Sequence, residues 1–108
     1  MIDKTLLSEE ILNEILDNVS EVYDIKVVNN TVFWNNGYIN EINIYELMYL
    51  AKEFLYTQTY DFETGKSLFH KQWGFVLSDD YGNTCIAGKV DTELEGVLKS
   101  VKWVLDNK

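Results

Sequence analysis

"DIKVVNNTVFWNNGYIN", residues 24–40, is where the chain changes period, and its reading decides the fold. Up to Tyr23 apolar residues recur at three- and four-residue steps. From Asp24 they run in short β-branched and aromatic stretches broken by asparagine and glycine. Asn29-Asn30 and Asn36-Gly37 tolerate positive φ and mark turns, so the stretch reads as a β-meander. With Asn29-Asn30 as a two-residue loop, Ile25 faces Trp34 and Val27 faces Val32, which leaves Lys26, Val28, Thr31 and Phe33 on the opposite face. One of these faces must be buried.

Outward from this meander the helical signals are local and strong. On its N-terminal side Ser8 is an N-cap, Glu9 and Glu10 lie near the positive end of the helix dipole, and Leu7 and Leu12 occupy hydrophobic-staple positions. The predicted helix covers about 9–23, with Ile11, Leu12, Ile15, Leu16, Val19, Val22 and Tyr23 as its apolar face. On the C-terminal side Asn43 caps a helix over about 44–57, with Glu46 at capping-box spacing and Ile42 and Leu47 as the staple. Ile44, Leu47, Met48, Ala51 and Leu55 form its core stripe, Leu50 and Phe54 lie on one flank, and Tyr45, Tyr49 and Tyr56 line the other. A helix apolar around so much of its circumference is buried between layers or covered by a partner.

Residues 60–90, "YDFETGKSLFHKQWGFVLSDDYGNTCIAGKV", read as two successive hairpins, one turning near Glu63-Thr64-Gly65 and one at Asp80-Tyr81-Gly82. In the second, Asp79 falls opposite Asn83, Leu77 meets Cys85 on the core side, and Gly74 faces Gly88 as a bare patch open to close approach. Thr92 and Glu95 open a last helix whose inner face carries Leu94, Val97, Leu98, Val101, Val104 and Leu105, while Lys99, Lys102 and Lys108 lie toward its negative end. The expectation is one α+β domain over residues 1–108: a single antiparallel sheet of five to six strands with three helices, in the order α-βββ-α-βββ-α.

Composition bounds the function. At 108 residues, 46% hydrophobic and 14% aromatic, the chain suffices for one modest core. No apolar run approaches a membrane span, and "MIDKTLLSEEIL" has neither a basic flank nor a signal core, so a soluble, cytosolic protein without membrane contact is expected. A single cysteine forms no internal disulfide and no thiolate metal cluster. Eighteen acidic against nine basic residues, a net charge of −9, disfavour direct contact with nucleic acid and favour basic partners.

No catalytic, cofactor or metal constellation emerges. "ETGKSL" lacks the glycine that a phosphate-binding loop needs five residues before Gly65, where Tyr60 stands, and it does not join a strand to a helix. His70 has no ligand at metal-binding spacing, and Cys85 lies within a strand rather than at a helix N-terminus beside cations. Two surfaces carry more information. Glu10, Glu14, Asp17, Glu21 and Asp24 step by four and three residues along the first helix without an intervening lysine. Like charges so placed destabilise a helix by a few tenths of a kcal/mol per pair, so the row is either a solvated face or a mimic of a nucleic-acid backbone that occupies a basic groove. The flank of Tyr45, Tyr49 and Tyr56 with Lys52 has the composition of a protein interface, and self-association into a homodimer is its simplest use.

The closing run "DTELEGVLKSVKWVLDNK", together with the helix beginning "INIYELMYLAKEF", resembles the endings of small acidic proteins carried by phages and other mobile elements. That class includes anti-CRISPR and other anti-defence inhibitors. The resemblance spans residues 43–108 and implies an inhibitor that binds a host effector without catalysis; it transfers no functional residue. The expected function is therefore non-catalytic binding to a basic, nucleic-acid-handling protein. The alternatives are an immunity protein that neutralises a cationic nuclease and a structural homodimer or assembly factor.

Overall fold

The element order follows from the switches of period. The structure, a computed structural model, describes residues 6–16, 22–67 and 71–108. Along them run α1 (Glu9–Leu16), β1 (Tyr23–Val28), β2 (Thr31–Asn35), β3 (Ile39–Asn43), α2 (Ile44–Thr57), β4 (Asp61–Lys66), β5 (Trp73–Ser78), β6 (Thr84–Val90) and α3 (Glu93–Asp106). This is the α-βββ-α-βββ-α order of an α+β protein.

The strands do not join into one sheet. They form two three-stranded antiparallel sheets, ordered β1-β2-β3 and β4-β5-β6. Each meander pairs through its own hairpins. β3 runs without a loop into α2, whose 14 residues carry the chain about 21 Å before β4 begins. The expected single sheet would have needed an edge strand of one meander, β4 or β6, to pair with β1 or β3 of the other, and neither does.

One core serves all layers. Leu12 of α1, Val32 of β2, Leu47, Ala51 and Leu55 of α2, Leu77 of β5, and Val97, Leu98 and Val101 of α3 are fully buried in one cluster. α1 packs on α2 and α3, and α3 lies along the second sheet. The caps match their sequence signals. Asn43 Oδ1 accepts from the Tyr45 N–H at 2.8 Å, and Thr92 Oγ1 accepts from the Glu95 N–H at 3.2 Å. Glu95 Oε2 in turn accepts from the N–H of Asp91, the residue before the cap, at 3.2 Å.

β1 meets β2 as the Asn29-Asn30 loop requires, with Val27 opposite Val32, but the ladder is broken between Tyr23 and Lys26. Asp24, at φ 54, and Ile25 together oppose Trp34, which makes a bulge that aspartate tolerates better than a β-branched residue. Val32 and Trp34 point into the core. Three rows therefore cross the outer face of this sheet: Tyr23-Asn35-Ile39, Lys26-Phe33-Glu41 and Val28-Thr31-Asn43.

In the second sheet two expectations give way. Glu63-Thr64-Gly65 is no turn: β4 runs straight through it, pairing Thr64 with Phe75 and Gly65 with Gly74. Phe62 and Thr64 point toward the core between exposed Asp61, Glu63 and Gly65, and that alternation outweighs the glycine. The β5–β6 hairpin turns at Asp80-Tyr81-Gly82, with Gly82 at φ 85 and the Asp79 N–H donating to the Asn83 carbonyl at 2.9 Å. The Asn83 N–H donates back to the Asp79 carboxylate, which holds that carboxyl below its ordinary range. Beyond Thr84 the register slips by one, because Cys85 is a bulge residue. Leu77 faces Ile86 rather than Cys85, and Gly74 faces Lys89 rather than Gly88. The slip has a hydrophobic cause: it turns Ile86 and Val90 inward and Lys89 outward.

Gly88 now lies opposite Phe75, and on its other side Phe75 meets Gly96 of α3. The bare position thus faces the Phe75 ring within the fold, and the close approach of α3 to the sheet is at Gly96. A Cβ at Gly96 would stand 3.2 Å from both Cβ and Cγ of Phe75, atoms fixed to a central strand that cannot swing aside. Alanine is favoured over glycine in a helix by about 1 kcal/mol, and overpacking costs about 1–3 kcal/mol. Gly96→Val adds two more methyl groups without the propensity gain of alanine. It is expected to lower stability by about 2 kcal/mol or more, read as a lower denaturant midpoint at unchanged slope; an unchanged midpoint would refute the close contact.

Candidate interaction surface

α2 presents opposite faces to core and solvent. Leu47, Met48, Ala51 and Leu55 are buried, with Ile44, Leu50 and Phe54 packed partly against the core. The outer face carries Tyr45, Glu46, Tyr49, Glu53 and Tyr56, all exposed and spread over an arc of about 100° at 3.6 residues per turn. Tyr45, Tyr49 and Tyr56 are 61%, 62% and 77% exposed. They stand in water on a helix held rigid by its buried side.

Lys52, at the border of this face, makes an ion pair with Glu93 of α3 at 3.5 Å. Its charge is turned toward α3, and Glu46 and Glu53 leave the outer face acidic. Neither glutamate is among the residues expected to form the surface; Glu46 reads in sequence only as a capping residue. The signal was present, because carboxylates one and eight residues after Tyr45 fall on the same side of the helix as the tyrosines.

The acidic row of the first helix fares differently. Glu10 is exposed and Glu14 half-buried on α1, whereas Asp17 and Glu21 lie outside the described residues. Asp24 sits in the β1 bulge, not on a helix, because the chain is already a strand at Tyr23. Five carboxylates in one helical line are therefore not what the fold builds. Nor is Glu10 without a cation: its charge helps hold the Lys102 ammonium above its ordinary value, after the nearer Asp106, which accepts from Lys102 Nζ at 2.9 Å.

Other candidates carry less. Among the described residues no group of three or more His, Cys, Asp and Glu side chains is placed to hold a metal ion, and no helix is long and apolar enough to cross a membrane. His70 lies outside the described residues. A hollow of about 340 Å³ between α3 and β6 is walled by Trp103 and Ile86 with charges of both signs, Glu95, Lys99, Lys102 and Asp106. A shallower depression of about 490 Å³ crosses the outer face of the second sheet over Gly65, Gly74 and Ala87.

Cys85 is half-buried beside the core, and its Sγ lies 3.8 Å from the Asn83 carbonyl. Burial, and next the negative charge of Asp79, push its thiol above the ordinary cysteine value. The thiolate fraction at neutral pH is correspondingly small. Alkylation by iodoacetamide is expected to be slower than for a free cysteine at every pH between roughly 7 and 9, with a midpoint shifted upward. A rate equal to or above that of free cysteine would contradict the placement.

No protein-family model, curated protein or solved structure matches the chain.

Proposed function

We propose that this chain acts by binding a protein rather than by catalysis, and that the outer face of α2 is the surface it binds with. The partner is basic, of the kind that handles nucleic acid, and the bound chain occupies the surface that nucleic acid would otherwise use. The observation that carries this reading is the alternation of three exposed tyrosines with two carboxylates on the outer face of one helix. Tyrosine offers a flat ring on which an arginine guanidinium stacks, at low entropic cost, and the neighbouring carboxylates accept its N–H donors. A net charge of −9 steers such an encounter from a distance.

An anti-defence inhibitor of a nucleic-acid-binding effector and an immunity protein for a cationic nuclease both work this way. They share the acidic-to-basic contact and differ in the protein captured. The test compares proteins retained by the immobilised wild-type chain and by Tyr45→Ala/Tyr49→Ala, at roughly 50 mM and 500 mM salt, between which the Debye length falls from about 14 Å to about 4 Å. The expected result is a basic protein held by the wild type at low salt, shed at high salt and lost from the variant. Equal retention by both chains would overturn the assignment to α2.

A further inference from the structure

We infer that a second copy of this chain docks on the outer face of the first sheet, in a symmetric dimer whose two-fold axis runs along β2. The inference is independent of the partner reading, which uses α2. The row through the middle of this face reads Lys26, Phe33, Glu41, with opposite charges on either side of a half-buried ring. Rotation about an axis along β2, midway between two facing sheets, sets Phe33 on Phe33 and exchanges the outer strands. Lys26 of each copy then lies over Glu41 of the other, so a single sequence supplies two complementary pairs, as an isologous interface requires.

The same rotation is favourable in the next row, where Tyr23 of one copy covers Ile39 of the other. Both are exposed apolar side chains, Ile39 at 80%, and Val28 extends the apolar surface along β1. Two sheets packed face to face keep their strands within about 30° of each other, which a two-fold along the strands satisfies. Lys26 and Glu41 cancel within their own row, which offsets part of the repulsion expected between two copies of a chain that carries −9. Three strands about 4.8 Å apart make a small face, so the dimer is expected to be weak, with a dissociation constant in the micromolar range.

Sedimentation equilibrium of the purified full chain from roughly 5 to 500 µM tests this. The wild type is expected to show a monomer–dimer equilibrium. Lys26→Glu and Glu41→Lys, each of which sets like charges against each other twice, are each expected to weaken it by about tenfold or more. The double variant K26E/E41K restores the complementary order and is expected to recover most of the loss. Tyr49→Ala should leave the mass unchanged, which separates this surface from α2. Circular dichroism establishes that the singly charge-swapped chains fold, and Ile39→Asp, in the neighbouring row of the same face, should also give a monomer. A wild-type monomer throughout the range, an unaffected mass in the single variants, a double variant no better than the singles, or loss of the dimer on Tyr49→Ala would overturn the inference.

Discussion

Replacement of Phe75 by alanine is expected to cost about 3–5 kcal/mol, at the upper part of what large-to-small core substitutions do. The reason lies in what surrounds the ring. Phe75 is 4% exposed on the central strand of the second sheet and stacks on Phe62 with ring centroids 6.4 Å apart. Its remaining neighbours include Gly88 across the ladder and Gly96 on α3, and neither has a side chain that could relax into the space left behind. A cavity lined by glycine backbone stays open, and the cost of such a substitution rises with the cavity that remains. In a chain of this size the loss would lower the melting temperature by roughly 12 °C or more, out of a total stability of about 5–15 kcal/mol. Phe75→Leu, which keeps most of the volume, should cost distinctly less. Equal melting temperatures for Phe75→Ala and the wild type would show that α3 does not rest on this ring.

The second large effect concerns binding and leaves stability alone. Tyr45, Tyr49 and Tyr56 bury little in the free chain, so their replacement by alanine together should shift the denaturant midpoint little. In the proposed complex these same rings become buried anchors. Truncating a tyrosine hot spot costs about 2 kcal/mol or more, and losses are not additive within one patch. The triple variant is therefore expected to bind at least about a hundredfold more weakly, equivalent to about 3 kcal/mol. Removing Glu46 and Glu53 as glutamines should act differently, slowing association and flattening its dependence on salt. A triple tyrosine variant that keeps wild-type affinity while folding normally would remove α2 from the interface.

The order of elements was legible because each one announces itself locally. Asn43 and Thr92 mark helix starts by the hydrogen bonds they make, and Asn29-Asn30 and Asp80-Tyr81-Gly82 turn the chain where their backbone tolerances say. The division into two sheets was not legible, since whether an edge strand of one meander pairs with an edge strand of the other is a non-local outcome. The bulges at Asp24-Ile25 and Cys85 lie between these cases. An unbroken β5–β6 ladder would have turned Val90 outward and Lys89 inward, so the apolar phase of β6 held the clue that one residue was extra. The same lesson applies to Glu63-Thr64-Gly65, where alternation of Phe62 and Thr64 toward the core overrode a glycine with no special φ.

The surfaces divide in a similar way. Tyrosines at steps of four and seven in α2 could be read as one row from spacing alone, and the fold leaves that row in solvent. The acidic row beginning at Glu10 needed a helix continuing to Asp24, and the strand that starts at Tyr23 removes its last member. The outer face of the first sheet emerged only with the bulge, which sets Tyr23 in register with Asn35 and Ile39.

Binding through α2 is tested most sharply by photo-crosslinking from position 49, with Tyr49→p-benzoylphenylalanine, in a lysate at low salt. The expected result is an adduct between this chain and a basic protein from position 49, competed away by added nucleic acid, and an adduct of two copies of the chain when the probe is moved to position 39. A probe at 49 that reacts only with a second copy of the chain, or a partner adduct indifferent to nucleic acid, would contradict it.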